Sequence, residues 1–393
     1  MSVGEPTAAM TLDNDARWMD HALELAERGR GFAEPNPVVG AVIVKDGRIL
    51  GEGYHEKFGG PHAEIHALRV AGPQACGATA YVTLEPCCHT GKTGPCTRAL
   101  IEARVSRVVA AVLDPNPLVA GRGVLELRRH GIAVTLGTCA RRATRTNAPF
   151  FKLIRLKRPY VIAKWAQTLD GAMADRFNSS KWISCEESRQ QVHLLRGRVD
   201  AILVGIGTVL ADDPMLTARP PHDSDIRRRA TRCVLDASCR LPLGSRLVQS
   251  AKEYPTVIFH RRSLEPPAED RRRRLLAAGV ECVAIVDSVG SAGKLDFGAV
   301  LGELGRRMMS NLLVEGGAEV LGHLLREHLV DEAQVFIAPR ILGDEQARRI
   351  VPQSAAKLTD TLNASVMEQA LCGSDMKLIL QFQHIPASAA GRG

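Results

Sequence analysis

The N-terminal part of the sequence holds three potential metal ligands close to one glutamate. His62 is followed two positions later by Glu64, and Cys87 and Cys96 are nine positions apart. One imidazole and two thiolates are three zinc ligands, which leaves a fourth tetrahedral position open for water, as in catalytic rather than structural sites. Glu64 can reach that water without ligating the metal, so we expect it to act as the general acid/base.

The spacing of the cysteines leaves the third ligand open. His-x-Glu followed by Pro-Cys resembles the signature of zinc-dependent nucleobase deaminases, whose cysteines are normally spaced CxxC. Here eight residues separate Cys87 from Cys96. Either an extended loop, made feasible by its proline and glycines, returns Cys96 to the metal, or Cys88 or His89 takes its place.

Alternating helices and strands are predicted to position these residues. The apolar pattern favours a helix over 14–29, and Asp46-Gly47 favours a hairpin between strands at 38–45 and 48–53. Further strands and helices alternate up to residue 136, which is typical of a three-layer α/β/α domain. The predicted strands are 80–84, 107–113 and 132–136, and the predicted helices are 62–71, 95–104 and 121–130.

Three segments carry a family resemblance. They are NPVVG from Asn36, GEGYHEKFGGPHAE at 51–64 and TLEPCCHTGKTGPC at 83–96. Together they resemble the deaminase domain of the bifunctional riboflavin biosynthesis family. In that family diaminohydroxyphosphoribosylaminopyrimidine deaminase is fused to 5-amino-6-(5-phosphoribosylamino)uracil reductase, and the deaminase domain is cytidine-deaminase-like. The resemblance implies one zinc ion on His62, Cys87 and Cys96, Glu64 as the catalytic residue, and Asn36 and His55 beside the substrate.

A second α/β pattern starts at Tyr160, after a basic segment at 141–158 where we place the domain boundary. The predicted domains are 1–150 and 158–385. LVEGG at 313–317 predicts a strand that enters paired glycines and a helix, a geometry that can approach phosphate. It is not GxGxxG, which argues against a Rossmann domain. The predicted strands are 160–165, 200–204, 231–236, 255–260, 311–315 and 333–338, and the helices are 185–198, 296–308 and 318–327; 220–230 and 262–274 are expected to be charged surface segments.

Four segments of this second part resemble the reductase domain of the same family, which is similar in fold to dihydrofolate reductase. They are KWAQTLDG at 164–171, SSKWIS at 179–184, LRGRVDAILVGIGTVLADDPMLTAR at 195–219 and LVEGG. The resemblance implies NADPH on Ala166, Trp182, Thr208, Asp212, Gly317, Ala318, Glu319, Val320, Leu321, Gly322 and His323. It implies substrate on Ser180, Arg196, Leu216, Arg219 and Glu315. We expect the forks of Arg196 and Arg219 to suit the substrate phosphate, and Lys164, Asp212 or Glu315 to relay a proton.

Composition limits the alternatives. The net charge of +8 among 393 residues suits either nucleic acid or anionic metabolites, and aromatic residues are only 4% of the chain. A nucleic-acid deaminase would need exposed aromatics for stacking, and a closed zinc scaffold would need a fourth protein ligand. With these alternatives disfavoured, the family resemblance implies an enzyme that acts in two steps on a phosphorylated pyrimidine. We also expect it to be cytoplasmic and homo-oligomeric, with neither nucleic acid nor membrane as a partner.

Overall fold

The computed structural model describes residues 8–89, 94–177, 179, 183–287, 295–350 and 361–382, with side chains from residue 14 onward. The chain forms two compact units, Met1–Lys157 and Arg158–Gly393. That division falls inside the basic segment 141–158. The assignment of one activity to 1–150 and another to 158–385 stays a prediction, and the last residues of the second range lie outside the described part.

One five-stranded sheet forms the centre of the N-terminal unit. Its strands are β1 (Gly40–Lys45), β2 (Arg48–Tyr54), β3 (Thr79–Val82), β4 (Arg107–Ala110) and β5 (Ala133–Leu136). Their order is β2-β1-β3-β4-β5, with β1 antiparallel to β2 and β3, and with β3, β4 and β5 parallel. Asp46 and Gly47 both have positive φ and make the predicted tight turn between β1 and β2.

Helices cover both faces of this sheet. They are α1 (Ala8–Arg28), α2 (Ala63–Ala71), α3 (Cys96–Glu102), α4 (Arg122–Arg129), α5 (Ala140–Thr146) and α6 (Ala148–Leu156). Side chains alternate along β1, so that Ile43 packs in the same cluster as Ala67 of α2 while Val42 packs in the cluster of Met19 and Leu23 of α1. The result is the predicted three-layer arrangement.

A nine-stranded sheet forms the centre of the C-terminal unit. Its strands are β6 (Tyr160–Thr168), β7 (Ala201–Gly205), β8 (Thr231–Leu235), β9 (Thr256–Arg261), β10 (Glu281–Ile285), β11 (Asn311–Glu315), β12 (Glu332–Ala338), β13 (Ala364–Cys372) and β14 (Asp375–Phe382). The order is β10-β9-β8-β7-β11-β6-β12-β14-β13. The strands from β10 to β12 are parallel, so their carboxyl ends meet at one edge, and β14 and β13 add antiparallel pairs.

The helices of this unit connect the parallel strands. They are α7 (Glu186–Arg196), α8 (Ile206–Asp212), α9 (Arg246–Gln249), α10 (Pro266–Ala277), α11 (Phe297–Arg306) and α12 (Ala318–Arg326). The charged segment 262–274 forms most of α10. The predicted fold class, two α/β domains, is confirmed. Within the described ranges, no helix has both the length and the apolar character needed to cross a bilayer.

Candidate active sites

His62, Cys87 and Cys96 come together in the N-terminal unit. His62 directly precedes α2, Cys87 lies in the loop after β3, and Cys96 is the first residue of α3. Their ligand atoms all lie within 4.8 Å of one another. The Cys88 thiol instead lies 3.9 Å from the carbonyl oxygen of Leu118. The geometry therefore favours Cys96, at the end of the extended loop, as the third ligand.

The separations in this cluster fit a zinc ion. Bonds of about 2.3 Å to sulfur and about 2.0 Å to nitrogen at a tetrahedral angle put nitrogen and sulfur about 3.5 Å apart. His62 Nδ1 lies 3.2 Å from Cys96 Sγ and 3.5 Å from Cys87 Sγ. One imidazole and two thiols are also the donor types that zinc prefers. The three side chains could hold the metal with little rearrangement.

The cluster already favours an ionised thiol. Hydrogen bonds to the Cys96 thiol and to the His62 ring hold the pKa of Cys87 well below its usual range, although burial acts in the opposite direction. The backbone amide of Cys96 also donates to Cys87 Sγ at 3.4 Å. The pKa of Cys96 is raised by its hydrogen bond to Cys87 and by burial.

Glu64 lies in the first turn of α2 and is only 3% exposed. Burial is the largest cause that raises the pKa of its carboxyl group to about 7, and the negative charge on Cys87 raises it further. A carboxyl group with a pKa near neutrality can both accept and return a proton. The structure thus places this carboxyl group beside the three predicted ligands, and its role as the general acid/base stays a prediction.

Asn36 and His55, predicted to border the substrate, lie against the same cluster. The His55 ring centroid is 5.3 Å from that of His62. Its Nδ1 lies 3.0 Å from the carbonyl oxygen of Pro61, and its Nε2 lies 3.3 Å from Asn36 Nδ2. A proton on Nδ1 satisfies the carbonyl and leaves Nε2 to accept from the Asn36 amide. His55 therefore fixes the orientation of Asn36.

A cavity of about 1470 Å³ opens at the carboxyl ends of β6, β7, β8 and β11 in the C-terminal unit. Most of the predicted cofactor residues line it: Ala166, Thr208, Asp212, Gly317, Ala318, Glu319, Val320 and His323. Leu321 and Gly322 do not line it, because Leu321 packs on the core side of α12 and Gly322 is also buried. Trp182 lies outside the described residues.

Three of the predicted substrate residues, Arg196, Arg219 and Glu315, also line this cavity. Leu216 does not line it, since its side chain is 3% exposed and packs inward from a loop where its φ is +51°. Ser180 lies outside the described residues. The cavity therefore brings together parts of both predicted sets, on strand ends that are far apart in the sequence.

The Arg196 fork, predicted to suit the substrate phosphate, is engaged by Glu315 in this structure. Its Nε and Nη2 donate to the two carboxylate oxygens of Glu315 at 2.6 and 2.7 Å, and both side chains are nearly buried. A bidentate pair of this kind occupies the face that would otherwise hold a phosphate. Burial opposes ionisation of Glu315, but Arg196 and then Lys164 hold its pKa below the usual range. Arg196 thus neutralises Glu315.

His193 lines the same cavity and was missed from the sequence. Burial, followed by the charges of Arg196 and Arg219, lowers its pKa to about 4. Its Nδ1 accepts the backbone N–H of Arg219 at 3.3 Å. His193 stands three positions before Arg196 on α7, so helical spacing from a predicted site residue was the signal that could have found it.

Comparisons with known proteins match both units. Residues 12–112 match the family model of the cytidine and deoxycytidylate deaminase zinc-binding region, and residues 159–378 match that of the RibD C-terminal domain. The riboflavin biosynthesis protein RibD of Aquifex aeolicus is 43% identical over 85% of this chain and 90% of its own.

Two solved structures cover 95% of this chain and the whole of their own. They are Acinetobacter baumannii RibD, at 38% identity and a TM-score of 0.83, and a diaminohydroxyphosphoribosylaminopyrimidine deaminase/5-amino-6-(5-phosphoribosylamino)uracil reductase from Thermotoga maritima, at 34% and 0.79.

Fold, cluster and cavity together define a bifunctional enzyme in which a zinc-binding deaminase domain precedes a reductase domain. Enzymes of this class act on small pyrimidine compounds. The chain belongs to the RibD family of riboflavin biosynthesis proteins, as its similarity over nearly its whole length shows.

Proposed function

We propose that the chain catalyses two successive steps. The N-terminal unit deaminates 2,5-diamino-6-ribosylamino-4(3H)-pyrimidinone 5′-phosphate by hydrolysis, and the C-terminal unit reduces the ribosyl group of the product with NADPH to give 5-amino-6-ribitylaminouracil 5′-phosphate. The observation that carries the proposal is the cluster of His62, Cys87 and Cys96 beside the buried Glu64. The Thermotoga maritima relative, a diaminohydroxyphosphoribosylaminopyrimidine deaminase/5-amino-6-(5-phosphoribosylamino)uracil reductase, supports the choice of substrate.

In the deaminase step, zinc held by the cluster would supply Lewis acidity, which makes water nucleophilic near neutral pH. Glu64 takes one proton from the attacking water and delivers it to the ring nitrogen, then takes the proton of the newly formed hydroxyl group and delivers it to the departing amine, which leaves as ammonia. Its pKa of about 7 suits both directions of transfer. Asn36, oriented by His55, donates its amide to the pyrimidine.

In the reductase step, the cavity volume of about 1470 Å³ leaves room for a dinucleotide and a ribotide together, since a single small ligand takes about 300–1,000 Å³. Gly316 and Gly317, both with positive φ, end β11 and let the backbone approach the cofactor phosphates. The nicotinamide supplies the hydride. Lys164 or Asp212 supplies the accompanying proton, because Arg196 holds Glu315 in its ionised form.

The positive charge of the chain suits phosphorylated small molecules. Arg219, Arg240 and Arg348 all line the cavity, where anionic groups of NADPH and of the ribotide would bind. We also propose a cytoplasmic homo-oligomer. All ten cysteines lie in the described part and are free, which suits a reducing compartment.

The test follows both reactions in one purified protein. Ammonia release from the diaminopyrimidine ribotide and oxidation of NADPH, with NADH in parallel, should both be observed. Glu64→Gln should lower ammonia release at least 100-fold while bound zinc stays near one per chain. The matched control is Glu56→Gln, an exposed glutamate before α2, which should retain wild-type release. Ammonia release by Glu64→Gln at the wild-type rate would refute the assignment.

A further inference from the structure

Arg232, in β8, is a fully buried arginine whose bonds to the described residues reach no carboxylate. Burying an unpaired charge is costly, and arginines in protein interiors are usually matched by an acid. Among the described residues, the guanidinium donates only to neutral oxygens, at 2.6–3.3 Å. The acceptors are the hydroxyls of Ser250 and Thr256 and the carbonyls of Met215, Leu247 and Tyr254.

One of these acceptors belongs to a strained loop. The loop Asp213–Arg219 follows α8, and two of its residues, Asp213 and Leu216, have φ values of +40° and +51°. Non-glycine residues in this region are disfavoured and persist only where the surroundings hold them. Arg232 binds the carbonyl of Met215, directly before Leu216, so it acts at the strained point.

Other contacts hold the two ends of the loop. The Asp213 carboxylate accepts the backbone N–H of Arg246 at 2.8 Å. At the far end, Arg196 donates to the carbonyl of Thr217 at 3.3 Å, and the N–H of Arg219 donates to His193. Arg232 is thus the central support of a loop that ends in a cavity-lining arginine.

Arg219 is the arginine that this loop delivers to the cavity. Glu315 occupies the fork of Arg196. The guanidinium of Arg219, in contrast, is engaged by no acceptor among the described residues. A guanidinium fork in a defined place suits a phosphate better than a mobile one, because less side-chain and backbone freedom is lost on binding.

We propose that Arg232 is a positioning residue that holds the loop Asp213–Arg219 in the conformation that presents Arg219 to the phosphate of the reductase substrate. This rests on the proposed function, which supplies the phosphorylated substrate. The planar fork matters, because a lysine has its donors on one atom and cannot serve Thr256, Tyr254 and Met215 together.

The test compares the deaminated ribotide with its dephosphorylated riboside in the reductase reaction. The ratio of their kcat/KM values measures how much the enzyme uses the phosphate. Arg232→Met should lower this ratio about tenfold and Arg232→Lys about threefold, mainly through KM for the ribotide, with KM for NADPH unchanged. In an Arg219→Met background, Arg232→Met should lower the ratio no further. Arg307→Met is the matched control, since Arg307 pairs with Glu281 and Glu303 away from the loop, and the ratio should not change.

Amide exchange in 213–219 supplies a readout that does not need turnover. It should be faster in Arg232→Lys than in the wild type. An unchanged ratio and unchanged exchange in Arg232→Lys would overturn the proposal, and so would failure of both Arg232 variants to fold, which would make the residue a general support of the unit. Absence of reductase turnover in the wild type would instead refute the proposed function, and the exchange data would still decide the role of Arg232.

Discussion

Of the basic side chains at the reductase cavity, Arg196 is paired with a carboxylate, whereas Lys164 and His193 have lowered pKa values. Glu315 is the acidic partner of Arg196 and lies beside the half-buried Lys164, its register partner across β6 and β11. Burial lowers the pKa of Lys164, and Glu315 only partly opposes this. His193 stands near Arg196 and Arg219 and stays neutral, which preserves Nδ1 as an acceptor. The neutral His193 ring therefore adds no third positive charge to those of Arg196 and Arg219.

His193 should make the C-terminal unit sensitive to acid. Its pKa is about 4 in the folded protein and about 6.5 when unfolded, so the unfolded state binds more protons between these values. The stability that depends on neutral His193 is complete above about pH 6.5 and declines as the pH falls towards 4. We expect the free energy of unfolding in urea to change less steeply with pH for His193→Gln than for the wild type. The difference in slope should correspond to the uptake of up to about one proton on unfolding. His222→Gln, at an exposed histidine of the same unit, should keep the wild-type slope; equal slopes for all three proteins would contradict the prediction.

Helix α4 depends on a carboxylate from another element. Its N-cap is Gly121, which offers no side chain. The buried Glu85, two residues before Cys87, accepts the N–H groups of Gly121 and Val124 at 2.9 and 3.2 Å, and that of Asp114 at 3.2 Å. A negative group at a helix N-terminus is stabilised by the helix dipole as well as by hydrogen bonds. Glu85 therefore ties the segment that carries Cys87 to α4.

Glu85→Ala should lower the free energy of unfolding of the N-terminal unit by about 1–3 kcal/mol, because three amides lose their acceptor in a buried place. Glu85→Gln should cost less, since one oxygen can still accept. Glu102→Ala, which removes an exposed pair with Arg98, should change stability by less than about 0.5 kcal/mol. Chemical denaturation of the three variants checks the order; equal losses for Glu85→Ala and Glu102→Ala would show that the cap contributes nothing.

Helices and strands whose apolar residues recur at a regular period could be predicted from the sequence, and those without such a pattern could not. The hairpin β1–β2, the helix α2 and the strands β7, β8 and β11 match the predicted positions within one or two residues. β13 was missed because it is an edge strand with almost every side chain exposed, so no period-2 pattern marks it. β14, β10 and the short α8 were missed as well, and α5 and α6 fall in the basic segment 141–158, where their charged residues weaken the apolar period.

The two sites differed in how much the sequence could predict, because their contacts differ in range. The ligands of the candidate metal centre could be proposed from residue types and short spacings. The Arg196–Glu315 pair joins residues 119 positions apart, and the Arg232 contacts depend on how a loop, a helix and a strand meet. Such pairings follow from strand order in the nine-stranded sheet, which the spacing of residues does not encode.

Removal of zinc should separate the two activities of the whole chain. The three predicted ligands belong to the N-terminal unit, and the described residues that line the cavity belong to the C-terminal unit. After dialysis against a chelator, ammonia release should fall at least 100-fold, while NADPH oxidation with the already deaminated ribotide should stay within twofold of the untreated protein. Restored zinc should recover ammonia release, and magnesium, which prefers oxygen ligands, should not. Parallel loss and recovery of both activities would mean that the reductase also requires the metal, against the assignment of one chemistry to each unit.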